Sequence, residues 1–191
     1  MPLPVAHCLA GASIVAATRS GFSLRRDWGA ILLGATLALI PDLDLILAFW
    51  LKYGAKAHGG FTHSILFALL LGIMAALAMR ETSARGMAAY SAAALSHGLL
   101  DVIPRKDYGG AQLLWPFSDQ NLRLGIFRDY EFYPDPNSQS VVQILSDASV
   151  YLGYETLVWL PIFIAIIALK SRPGAPGRVP AKPRTEKRQW T

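Results

Sequence analysis

Five long apolar runs, separated by short polar links, organise this chain. The first runs from Leu3 to Thr18 and carries His7 near its start. No positive stretch precedes it, so it reads as a retained segment and not a secretory signal. Arg19, Arg25 and Arg26 follow, and Asp27 is the expected N-cap of the second run, Trp28 to Leu51. That run exceeds the roughly 20 residues a bilayer crossing needs. Pro41 interrupts it by removing a backbone donor, so a break is expected just before Asp42 and Asp44. After the link Lys52 to Gly60, the third run spans Phe61 to Met79, with Thr62 or Ser64 as its cap. The fourth, Gly86 to Ile103, is rich in the Ala, Ser and Gly that let membrane helices approach closely, and Pro104 ends it. A long loop then reaches about Ser140, holding Trp115-Pro116-Phe117-Ser118 and Tyr130-Glu131-Phe132-Tyr133-Pro134. Loops of that length are functional lids or linkers, and the aromatics suit one lying on a membrane surface. An amphipathic stretch, Val141 to Gly153, leads into the fifth run, Tyr154 to Leu169, which opens with Glu155. The expected fold is all-α: an integral membrane helical bundle of four to five transmembrane segments with a long aromatic-rich loop. It divides into a membrane-embedded domain, residues 1–169, and a basic disordered tail, residues 170–191.

Composition supports that reading. Of 191 residues, 53% are hydrophobic and only 16% charged, against about 25% charged in a soluble domain. The mean hydropathy is +0.34. A net charge of +5 could point to nucleic acid, but much of it lies in the tail, where seven Lys and Arg residues oppose only Glu186. Such a run beside an apolar segment reports membrane orientation more than a nucleic-acid site. The lone Cys8 excludes an internal disulfide and a Cys-rich zinc site.

Threading the runs through a bilayer brings the polar groups together. Asp42 and Asp44 end one run; His58 and His63 open the next. His97 and Asp101, four apart on one helical face, close the fourth, and Glu155 opens the fifth. If the first run crosses, His7 joins them. All land at one end of the bundle, which independent structural roles explain poorly. Singly, His7 or Glu155 could be a polar contact, Asp42 with Asp44 a helix cap, and His97 with Asp101 a hydrogen-bonded pair. Trp115, Phe117 and Ser118 could serve packing or substrate contact. The arginines near residues 19–26 and 80–85 share the other face with the tail, so that face should be cytoplasmic and the polar cluster extracytoplasmic; Lys52 and Lys56 count against this.

Ionisable groups in an apolar environment persist where something pairs with them, and this nitrogen and oxygen set suits a divalent ion. Zinc is the first candidate, with manganese or iron as others. An ion with an open position lowers the pKa of bound water toward about 7, and hydrolysis needs nothing more. The expected ligands are His7, Asp44, His58, His63, His97 and Asp101. Asp42 and Glu155 are the expected catalytic carboxylates, and Trp115, Phe117 and Ser118 the substrate contacts. Asp44 is placed on the metal and Asp42 in support, by its one-step greater distance from His58. The expected partners are the lipid bilayer and a small-molecule or lipid substrate, with no nucleic acid; oligomeric state stays open. An ion transporter, and a structural protein with a metal staple, are the competing readings.

The motif set also resembles a known family. An early His, Pro41-Asp42-Leu43-Asp44, His58-x-Gly-x-Thr-His63-Ser, Ser96-His97-x-Leu-Leu-Asp101 and Trp115-Pro-Phe-Ser are similar to the membrane-bound metal-dependent hydrolases that include LexA-regulated inner-membrane members. The resemblance covers about Pro4 to Glu155 and implies metal binding at those positions. A weaker likeness is to the zinc-dependent phospholipase C and single-strand nuclease group. His7, Asp44, His58 and His97-x-x-x-Asp101 follow that group's ligand order, but Tyr151 stands four before Glu155 where a His belongs. That departure leaves one or two ions, not three.

Overall fold

The computed structural model describes residues 4–45, 58–103, 110–126 and 138–172. Five α-helices form it: α1 Pro4–Thr18, α2 Leu24–Leu37, α3 Ile65–Ala78, α4 Ala84–Val102 and α5 Val141–Ser171, with short 3-10 turns at Ile40–Asp42 and Phe61–His63. No β-strand occurs among the described residues; a single antiparallel bridge pairs Ala111 with Leu122. The stretch Leu24–Leu45 and α5 are long and apolar enough to cross a membrane, while α1 and α3 are shorter apolar helices.

Helix α1 is the centre of the packing and touches α2, α4 and α5. Its small residues make that possible: Ala6, Ala10, Gly11, Ala12 and Ala16 are all buried. A Cβ on Gly11 would lie 2.3 Å from the Gly34 carbonyl oxygen, so these two backbones touch directly. Close approach through small residues is how helices associate where lipid removes the hydrophobic drive. Phe22 and Ile31 close one side of α1 with Phe163, Ile166 and Ile167 of α5. A second cluster, including Val15, Leu37, Ala68, Ala76, Tyr90 and Ala93, joins α1, α2, α3 and α4. Outside the bundle, Leu69, Leu70, Met74 and Leu77 of α3 and Leu157, Val158 and Ile164 of α5 are exposed. So continuous an apolar exterior fits lipid as its surroundings.

Several boundaries differ from the sequence expectation. Ser23, not Asp27, is the N-cap of α2. Asp27 lies one turn in and reaches back to accept the Ser23 N–H at 2.8 Å, so it satisfies an orphan donor from inside the helix. Ser64 caps α3 by accepting from Phe67 N, and Ser83 starts α4 two residues before Gly86. The stretch Val141–Gly153 and the fifth run are one continuous helix, opened by a capping box between Ser140 and Gln143 and passing through Pro161. That helix continues through Lys170 to Ser171; residues 173–191 of the basic tail lie outside the described part. So do residues 46–51 of the second run and the loop residues 104–109 and 127–137, with Tyr130 to Pro134. The described part of that loop is pinned down: Leu113 O accepts from Ile65 N, Gln112 N donates to Gly59 O, and Leu124 N donates to Val102 O.

Candidate metal centre

The centre begins at the break in the second run. Asp42 N bonds Leu39 O, as the 3-10 turn requires. Ala38 O therefore loses its α-helical partner, and its 3-10 partner would be Pro41, which has no N–H. The freed carbonyl accepts from His97 Nδ1 at 2.7 Å. A carbonyl only accepts, so His97 carries its hydrogen on Nδ1 and turns Nε2 inward.

Asp44 fixes two more rings. His58 Nδ1 lies 2.7 Å from Asp44 Oδ1. Thr62 donates its hydroxyl to Asp44 Oδ2 at 2.6 Å, and its oxygen lies 3.0 Å from His63 Nδ1. Because the Thr62 hydrogen is used on Asp44, His63 Nδ1 is the donor to Thr62. His58 and His63 are thus held like His97, with Nε2 free. A tight seat helps: a Cβ on Gly98 would lie 2.5 Å from His63 O, so only glycine lets α4 come this close.

Inside this ring the Nε2 atoms face carboxylate oxygens and one another. His63 Nε2 is 3.1 Å from His97 Nε2. Asp101 Oδ2 lies 3.2 Å from His63 Nε2 and 3.3 Å from His97 Nε2, and Asp42 Oδ1 lies 3.3 Å from His97 Nε2. His58 Nε2 approaches Asp42 Oδ1 at 3.9 Å and His7 Nε2 approaches Asp101 Oδ1 at 3.8 Å. The His7 ring stacks on His97, centroids 3.9 Å apart. All four histidines of the chain meet here. Both His7 nitrogens, Asp42 Oδ1 and Asp101 Oδ1 are buried without a hydrogen-bond partner. Buried orphans of this kind are costly unless a cation completes them. The donor set and those orphans fit divalent metal in two groups, Asp42 with His58, His63 and Asp101, and His7 with Asp42 and His97. Asp42 belongs to both groups.

The sequence profile of the YdjM inner membrane protein family matches residues 1–173. The chain belongs to that family. Inner membrane protein YbcI of Escherichia coli (strain K12) is 33% identical over 93 residues, covering 46% of this chain and 53% of YbcI. The chain therefore spans about half the length of that relative. No solved structure matches.

In this YdjM-family chain the expected site residues fall into three sets. His7, Asp42, His58, His63, His97 and Asp101 converge on the two ligand groups. Asp44 stands behind the imidazoles, bonded to His58 and Thr62 and outside both groups, whereas Asp42 lies in both. Glu155 is also outside them; it is fully buried and accepts from Ala6 N at 3.0 Å, which ties α5 to α1 one residue before His7. Trp115 packs edge-on against Phe61, centroids 4.8 Å apart, two residues before His63. Phe117 projects with 92% exposure, and Ser118 accepts from Gln120 N at 3.3 Å. Sequence reasoning missed the Thr62 hydroxyl as an orienting group and the Ala38 carbonyl. Thr62, adjacent to His63, was legible only as a cap candidate, and a backbone carbonyl leaves no signal except the proline that frees it.

Proposed function

We propose that the chain is a membrane-embedded, metal-dependent hydrolase that cleaves a phosphoester or another ester presented at the membrane surface. The carrying observation is the inward ring of Nε2 atoms and carboxylate oxygens with buried, partnerless acceptors. Zinc suits this nitrogen and oxygen set best, with manganese or iron as alternatives. These residues would hold an ion whose contribution would be Lewis acidity toward water or the ester. The remaining work belongs to the chain. Asp44, Thr62 and the Ala38 carbonyl orient the imidazoles, a support that ligating histidines usually need. The Asp42 side chain is 22% exposed against 3% for Asp101, so of the two carboxylates in the ligand groups Asp42 is the one nearer an incoming substrate. Phe61, Trp115 and Phe117 offer an apolar rim beside it.

In the proposed topology four to five segments lie in the membrane, with the centre extracytoplasmic and the tail cytoplasmic. Between the two ends the buried layer carries no ionisable group among the described residues, only Ser13 and Ser91. That layer favours a one-ended site over an ion path.

The test is hydrolysis of a panel of phosphomonoesters, phosphodiesters and lipid esters by detergent-purified protein. The wild type should turn over at least one class, and His97→Ala and Asp101→Ala should lose it. Metal-loaded wild type that hydrolyses nothing in the panel would leave the structural staple as the better reading.

A further inference from the structure

The opposite end of the bundle holds a cavity of about 270 Å³ between the end of α1 and the starts of α2 and α4. Its charged lining is Arg19, Arg26, Arg85, Asp27 and Glu81, with Ser20 and Tyr90 among the other lining groups. These charges are not equally engaged. Arg26 holds Asp27 in a two-point contact, Nε to Oδ1 at 3.1 Å and a terminal nitrogen to Oδ2 at 2.9 Å, and also bonds Gly21 O. That pair is closed. Arg19 donates to the Tyr90 hydroxyl at 3.0 Å, but its carboxylate contacts are long, 3.7 Å to Asp27 and 3.9 Å to Glu81. Glu81 Oε1 is taken up by Ser83, whose hydroxyl and N–H hold the Glu81 carboxyl below its ordinary pKa. Arg85 makes one side-chain hydrogen bond, at 3.3 Å to Ser20 Oγ, and no ion pair among the described residues.

Two guanidinium groups with spare donors therefore face one cavity, opposed by the loosely paired Glu81 Oε2 and by an Asp27 carboxylate already held by Arg26. A guanidinium fork matches phosphate oxygens two at a time. We propose that this cavity binds a phosphate anion between Arg19 and Arg85, supplied by an anionic lipid headgroup or by a soluble phosphate compound. An arginine bias that only set orientation would leave Arg19 solvated on the surface, as Arg85 is. Here Arg19 is instead anchored to the buried Tyr90 and partly shielded. The proposal is independent of the metal centre and of hydrolysis.

Thermal unfolding of the full-length protein in phosphate-free maltoside micelles tests it. One arm titrates inorganic phosphate, the other phosphatidylglycerol, each against chloride at equal ionic strength. The wild-type midpoint should rise in at least one arm: phosphate alone identifies a soluble anion, and lipid alone a headgroup. Arg85 is exposed, so Arg85→Gln should fold normally and need at least about tenfold more ligand, as expected for loss of a charge-assisted hydrogen bond. Arg25→Gln, an exposed charge outside the cavity, should respond as wild type. No rise beyond chloride in either arm, an Arg85→Gln response equal to wild type, or equal losses in both variants would overturn the site.

Discussion

Replacing Asp44 by Asn keeps the size of the side chain and removes what it does for the centre. The carboxylate receives His58 Nδ1 at 2.7 Å and the Thr62 hydroxyl at 2.6 Å, with His63 Nδ1 at 3.4 Å. An amide offers one acceptor oxygen, and its NH₂ would confront a donor on the other side. One of the two short bonds is lost and the other loses its charge assistance. Hydrogen bonds to charged groups are worth about 1.5–3 kcal/mol, and loss of an outer partner to a ligating histidine typically costs about 10–100-fold in metal affinity. Asp44→Asn should therefore bind zinc about 10–100-fold more weakly in a chelator competition, with its helical circular dichroism unchanged. Thr62→Val, which removes the His63 partner and one donor to Asp44 but leaves the His58–Asp44 bond and its charge, should show the smaller loss. An Asp44→Asn affinity within twofold of wild type would refute the orienting role.

Gly98→Ala places a Cβ about 2.5 Å from His63 O and 3.0 Å from Leu113 Cδ2; it should cost about 1–3 kcal/mol in unfolding free energy and weaken metal binding, because His63 must move. Gly29→Ala, inside α2 with nothing within 4 Å, should leave metal binding unchanged and add up to about 1 kcal/mol of stability. With Cys8 replaced by Ser, a cysteine at Ser118 should react with an impermeant maleimide in intact spheroplasts and one at Thr191 should not; the reverse pattern inverts the topology.

Much of this centre was legible because its ligands sit where apolar runs begin and end. The i, i+4 spacing of His97 and Asp101 needs only a helix, and segment order alone puts residues 7, 42–44, 58–63 and 97–101 at one end. What stayed hidden depends on backbone geometry. The division of labour between Asp42 and Asp44 follows from the 3-10 turn at Ile40–Asp42, where helical spacing rules no longer apply. Chain distance to His58 pointed the other way, because Asp44 meets the far nitrogen of that ring. The continuity of α5 was obscured by a change from polar to apolar composition near Gly153, which a helix projecting from a bilayer requires and a helix break does not. The cavity at the arginine end was invisible for another reason: orientation bias explains the same residues from sequence.

In the proposed centre a metal ion, not protons on the imidazoles, completes the ring of Nε2 and carboxylate atoms. Elemental analysis of the purified protein after equilibration with zinc, then manganese, then iron, and removal of free ion, tests this directly. The wild type should retain at least one tightly held equivalent and Asp42→Ala should lose nearly all of it, since Asp42 is shared by both ligand groups. Wild-type protein that retains no ion above buffer after all three treatments, or Asp42→Ala with wild-type content, would contradict it.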